Sequence, residues 1–188
     1  MYKQRDFETL WAKYEGLLKS LKNENINKLL DEQGQRIIMT SFSQREKEPF
    51  CGIGGIVDYS LKLAKNSNSI CKALNYDLNK TSIIKCSLLS IVGRIGSVYE
   101  DRFKETTSDW HKEKLGQYFD WNESCPKYQI NDMTMWYLQH YNIVLSWDEW
   151  NAMFLLKDMA LIFWELCLKL ILQKKFYQIF LSRYILSI

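Results

Sequence analysis

Histidine, proline and glycine are scarce in this chain: two, two and eight among 188 residues. Two imidazoles, His111 and His140, leave little material for a catalytic transition-metal centre, because imidazole is the commonest protein ligand for such ions. So little glycine and proline excludes collagen-like and low-complexity chains. The five cysteines, Cys51, Cys71, Cys86, Cys125 and Cys167, form no C-x-x-C pair, which removes zinc knuckles and redox dithiols. Charge of one sign is also missing. With 25 Lys and Arg against 22 Asp and Glu, the net +3 gives no strong nucleic-acid signal and no anionic-membrane signal. The most apolar segment, Met159 to Leu172, is broken by Glu165 and Lys169 and falls short of the roughly 20 apolar residues that span a bilayer. The opening, MYKQRDFETLWAKYEG, has no apolar signal core, so a reducing, cytoplasmic location is expected. What the chain does have is 47% hydrophobic and 14% aromatic residues, enough for one domain over residues 1–188 with its own core.

Apolar spacing predicts helices. Leu10, Tyr14, Leu17, Leu18 and Leu21 share one face of an opening helix. A polar stretch from Asn23 to Asn27 leads to a short turn around Leu29 and Leu30, and Gly34 to Gly55 reads as a long connection. The glycines Gly52, Gly54 and Gly55 lack the G-K-[ST] of a phosphate loop and read as a tight turn before a helix. Ile56 to Leu74 and then Ile83 to Val92 repeat the spacing of buried helices, with Asp77 and Asn79 as capping oxygens and Gly93 and Gly96 as stops. Periodicity lapses from about residue 97 to 122, which suits a short β-hairpin or ordered loop. It returns at Met133, Trp136, Tyr137, His140 and Tyr141, and again at Trp147, Trp150 and Phe154, where Ser146 and Glu149 form a capping-box pattern. The expected fold is all-α or nearly so, with a last helical region from Met159 onward.

The run Gly54-Gly55-Ile56-Val57-Asp58-Tyr59-Ser60-Leu61, followed by Ser87-Leu88-Leu89-Ser90-Ile91-Val92-Gly93-Arg94-Ile95-Gly96, resembles the HD-domain phosphohydrolases, and most of all the small versions carried by bacteriophage genomes. In that family the two segments typically read G-G-L-x-E-H-S and L-L-H-D-x-G-K-x-G. The stretches around Trp110 to Tyr118, Trp136 to Leu138 and Glu149-Trp150 resemble the same proteins, so the motif-supported core covers about residues 54–158. The resemblance implies an HD-like helical bundle and, in intact members, metal-dependent phosphoester hydrolysis.

The departures fall on the metal ligands. Tyr59 stands where the family has the histidine of its first motif, and Ser90 and Ile91 replace the paired His and Asp, while Lys157-Asp158 occupies the place of a later histidine motif. Hydroxyl and hydrocarbon side chains cannot replace those donors, and without an ion no water is brought from a pKa of about 15.7 towards 7. The resemblance thus implies a pseudo-enzyme, with no catalytic residue, metal or cofactor. Arg94 takes the place of a family lysine near the substrate phosphate and keeps its charge on a planar fork. With Arg102, Lys112 and Lys114 it makes a candidate anion pocket.

Each feature also has a plain reading. Arg94 can be a helix-end arginine facing solvent. His140 reads as a core or interface histidine, and His111, in a polar loop, has no spacing that orients it towards Cys125. The aromatic group from Trp110 to Trp150 reads as packing or protein interface, since Asp109, Glu113, Asp120, Glu123 and Asp132 argue against a basic groove. The apolar run Gln173 to Ile188 closes the core or meets a partner. The expected function is a binding, regulatory or scaffold protein that contacts another protein or itself and has a nucleotide as candidate ligand. Two alternatives remain: a phosphohydrolase rebuilt on Asp58, Asp101, Asp158 and the two histidines, and a structural subunit of a larger assembly.

Overall fold

The computed structural model describes residues 6–73, 75 and 79–154. Among them are seven α-helices and one two-stranded sheet, so the chain is mostly helical. Helix α1 (Phe7–Lys19) begins at Asp6, whose carboxylate accepts the Thr9 amide at 3.0 Å, and it buries Tyr14 and Leu18. Helix α2 (Glu24–Met39) is capped by Asn23, which accepts the amides of Asn25 and Ile26. This corrects two expectations. There is no turn at Leu29 and Leu30, and Gly34 lies inside the helix, so the connection covers only residues 40–54. Gly34 is kept in a helix because the Trp11 ring lies over it, where a Cβ would come within 2.9 Å. Packing between α1 and α2 outweighs the local glycine cost of about 1 kcal/mol.

Helix α3 (Gly55–Ala73) and helix α4 (Lys80–Leu89, capped by Asn79) form the most extensive pair, joined by Ile56, Val57, Leu63, Cys86, Leu88 and Leu89 in one core. Asp77 lies outside the described residues. Past Leu89 the chain tightens into a 3-10 turn, Val92–Ile95, so Ser90 and Ile91 belong to a helix exit and not to the helix expected there. The exit is buried, and its last carbonyls are satisfied by other elements. Tyr14 donates to the Leu88 carbonyl at 2.8 Å, and Thr134 donates to that of Ser90 at 3.1 Å.

Strands β1 (Phe103–Glu105) and β2 (Phe119–Trp121) pair antiparallel with Phe103 opposite Trp121, inside the span where a hairpin is expected. The connection holds helix α5 (Asp109–Leu115), so His111 is helical instead of looped. Helix α6 (Ile130–His140) packs on the 3-10 turn, and helix α7 (Trp147–Phe154) packs on α4. The α7 capping box is present: Glu149 N–H donates to Ser146 Oγ at 3.2 Å and Ser146 N–H donates to the Glu149 carboxylate at 2.9 Å. Buried Glu149 also takes Lys85 Nζ at 2.8 Å and Ser82 Oγ at 2.8 Å, which ties α7 to α4. No described helix is long and apolar enough to cross a membrane. Lys157-Asp158, Cys167 and the apolar segments from Met159 and Gln173 lie outside the described residues.

Candidate functional site

The first motif and the turn after α4 meet at the 40–54 connection. Its conformation is fixed by backbone and hydroxyl bonds: Phe42 N–H donates to the Phe50 carbonyl, Gly52 N–H to Ser41 Oγ, and Gly54 N–H to the Ile38 carbonyl at 2.7 Å. Gly54, at φ 75°, then turns the chain into α3. This folding sets two rings against the first motif. Tyr59 stacks on Phe42 with centroids 4.4 Å apart and meets Phe50 edge-on at 5.4 Å. The position that the resemblance assigns to a metal-binding histidine is thus an aromatic cluster.

Arg94 enters the same cluster from the 3-10 turn, with its guanidinium carbon 4.1 Å from the Phe42 centroid. The solvent-facing reading is corrected, because the guanidinium is largely buried. Among the described residues it has no hydrogen bond and no ion pair, and its Nε is buried without a partner. Burial, and then the like charge of Arg102, pull its pKa down to about 10. Tyr59 and Glu48 act in the opposite direction and do not offset this. The Glu48 carboxylate is committed to the amides of Gln44 and Arg45, at 3.1 and 3.2 Å.

Arg102 follows the same pattern. It lies over the Trp121 ring at 4.4 Å and donates one Nη to the Tyr128 carbonyl at 3.2 Å, while its buried Nε has no partner. Burial lowers its pKa as well. A cation over a ring gains about 0.5 to 2 kcal/mol, but a ring cannot accept the in-plane N–H groups that a guanidinium directs at carboxylate or phosphate oxygens. The two guanidiniums thus repel each other, and each keeps a buried Nε–H without an acceptor.

The other predicted residues are placed elsewhere. Lys112 and Lys114 sit on α5 and are not among the charges that act on Arg94. Ser90 is buried, its hydroxyl 3.4 Å from the Ser87 carbonyl, and Ile91 packs against the core. Asp58 pairs with Lys62 at 3.6 Å, and Asp101 with Arg36 at 2.7 Å. His111 Nδ1 is 2.7 Å from Ser108 Oγ. His140 is exposed and stacks on Trp136 at 4.6 Å, so it is not a core histidine. Among the described residues no three His, Cys, Asp or Glu side chains gather in a metal-binding group. Of the rings that face the two arginines and Tyr59, Phe42 and Phe50 carry no sequence signal, while Trp121 belongs to the aromatic group that reads as packing or protein interface. No protein-family model matches the chain, nor does any curated protein or solved structure.

Proposed function

We propose that the protein is a non-catalytic binding module, built on an HD-like helical scaffold, that takes a phosphate-class anion at Arg94 and Arg102. The observation that carries this reading is the largely buried Arg94 guanidinium, which has a ring beneath it, a second arginine beside it and no acceptor. An anion beside the two would offset their repulsion and accept charge-assisted bonds from guanidinium N–H groups that no described residue takes. Tyr59 supports the non-catalytic half: stacked on Phe42, it occupies with carbon a position that hydrolysis would need for a donor.

The test is calorimetric titration of the protein with pyrophosphate at low ionic strength, in a buffer free of competing oxyanions. Saturable binding that falls at least tenfold in both Arg94→Met and Arg102→Met is expected. Equal affinity of the wild type and both variants refutes the anion site. Manganese-dependent release of phosphate from a nucleotide by the purified protein refutes the non-catalytic assignment.

A further inference from the structure

A second surface is separate from the arginines. Between α1, α3 and α4 lies a groove of about 360 Å³. Leu17, Leu61, Ala64, Ile83 and Ile84 form its apolar floor, and Lys65, Lys72 and Lys80 stand on its rim. All three lysines are exposed, and none of their ammonium groups has an ion pair or hydrogen bond among the described residues. No described carboxylate lines the groove.

Lys80 adds a second sign of the same polarity. It is the first residue of α4, a helix with no acid in its first turn. A cation there lies against the positive end of the helix dipole, where Asp or Glu would be favoured. The rim therefore combines three side-chain charges with a helix N-terminus of the same sign. Along α3 the lining residues run from Leu61 to Lys72, about 16 Å at 1.5 Å per residue, or three helical turns. The chain's own residues 155–188 are poorly suited to this rim, because they carry Lys157, Lys169, Lys174, Lys175 and Arg183 against only Asp158 and Glu165.

We propose that this groove docks an amphipathic helix of another protein, one that carries acidic residues beside its apolar stripe. The stripe would fill the floor between α3 and α4, as in helix-in-groove recognition, and the acids would meet Lys65, Lys72 and Lys80. Charge of this kind sets orientation and association rate as much as affinity.

The probe is a fluorescein-labelled peptide of about 18 residues, long enough for partial helicity, with leucines at i, i+3, i+4 and i+7 flanked by glutamates. Its control replaces every glutamate with lysine. Fluorescence anisotropy against the full chain should show the acidic peptide bound at least tenfold more tightly than the basic one, with the difference shrinking as salt rises. The triple variant Lys65→Glu, Lys72→Glu, Lys80→Glu should reverse that preference. Because the three side chains are exposed, unchanged circular dichroism is expected in the variant. Equal binding of the two peptides, or an acidic-peptide affinity untouched by the triple variant, overturns the proposal. So does capture of phosphatidylglycerol vesicles through the same lysines without peptide binding, which assigns the groove to a lipid surface. Arg94→Met should leave peptide binding unchanged, which separates this site from the anion site.

Discussion

Replacing Arg94 with methionine should stabilise the free protein and reduce the stabilisation that ligand adds. The substitution keeps a flexible stem against Phe42 and removes the buried charge. A guanidinium held at about 10, well below the ordinary arginine value, costs roughly 3 kcal/mol at neutral pH, at about 1.4 kcal/mol per pKa unit. The direction follows from linkage: in the interval between those values the unfolded chain holds the proton more tightly, so the cost is fully present below pH 10 and shrinks above it. Against this gain stands the loss of the ring contact at 4.1 Å, about 0.5 to 2 kcal/mol. The net expectation is a variant more stable by about 1 to 2.5 kcal/mol in buffer free of oxyanions, read by urea unfolding with tryptophan fluorescence. Pyrophosphate at a hundred times the wild-type dissociation constant then adds about 2.7 kcal/mol to the wild type and no more than about 1.4 kcal/mol to a variant that binds tenfold more weakly, so the variant's lead shrinks by at least about 1.3 kcal/mol. A variant less stable than the wild type by 1 kcal/mol or more without ligand would refute the reasoning, because the guanidinium would then have a partner in the folded protein.

Substitutions at three further positions examine what holds the fold around this site. Glu149→Ala should destabilise by about 3 kcal/mol in the same urea assay, because it strands Lys85, whose side chain is only 19% exposed, and removes the α7 capping box. Burial works against the Glu149 charge, but hydrogen bonds from Lys85, Ser146 and Ser82 outweigh it and hold its pKa below 4.5. Wild-type stability should therefore fall as pH drops from about 4.5 through that lower folded value, and Glu149→Gln should lack this component of the slope. Tyr14→Phe should cost about 1 to 2 kcal/mol by leaving the buried Leu88 carbonyl without its donor, with circular dichroism unchanged. Gly93→Ala should fail to give a cooperative thermal transition, since its Cβ would collide with the Ile130 carbonyl and the Thr134 amide. A normal transition there would mean that α6 can retreat.

Sequence periodicity located α1, α3 and the start of α4 because their apolar residues repeat on one face and their caps are local. It missed α2 as a helix because Gln33 and Gly34 interrupt the apolar pattern, and the ring covering Gly34 comes from Trp11 on another helix. The strand pairing was anticipated within its span, whereas α5 between the strands was hidden by a short, polar sequence with no buried residue. Of the candidate site, Tyr59 and Arg94 stand at positions that the motif resemblance marks. Phe42 and Phe50 carry no such mark, and Trp121 is marked only as one of an aromatic group, since rings meet their partners only when the 40–54 connection and the strand pair bring them together. The difference between a solvated helix-end arginine and a largely buried one is likewise set by long-range packing, which no local spacing encodes.

The contact at Gly93 also has a mechanical meaning. With no side chain between them, the turn that carries Arg94 rests on the backbone of α6, and Thr134 bonds both sides of the joint: it accepts the Gly93 amide at 3.0 Å and donates to the Ser90 carbonyl. Two backbones in direct contact have no rotamer through which to absorb a displacement. A displacement of the turn's backbone at Gly93 is therefore passed directly to α6, the helix on whose exposed side Trp136 and His140 lie stacked.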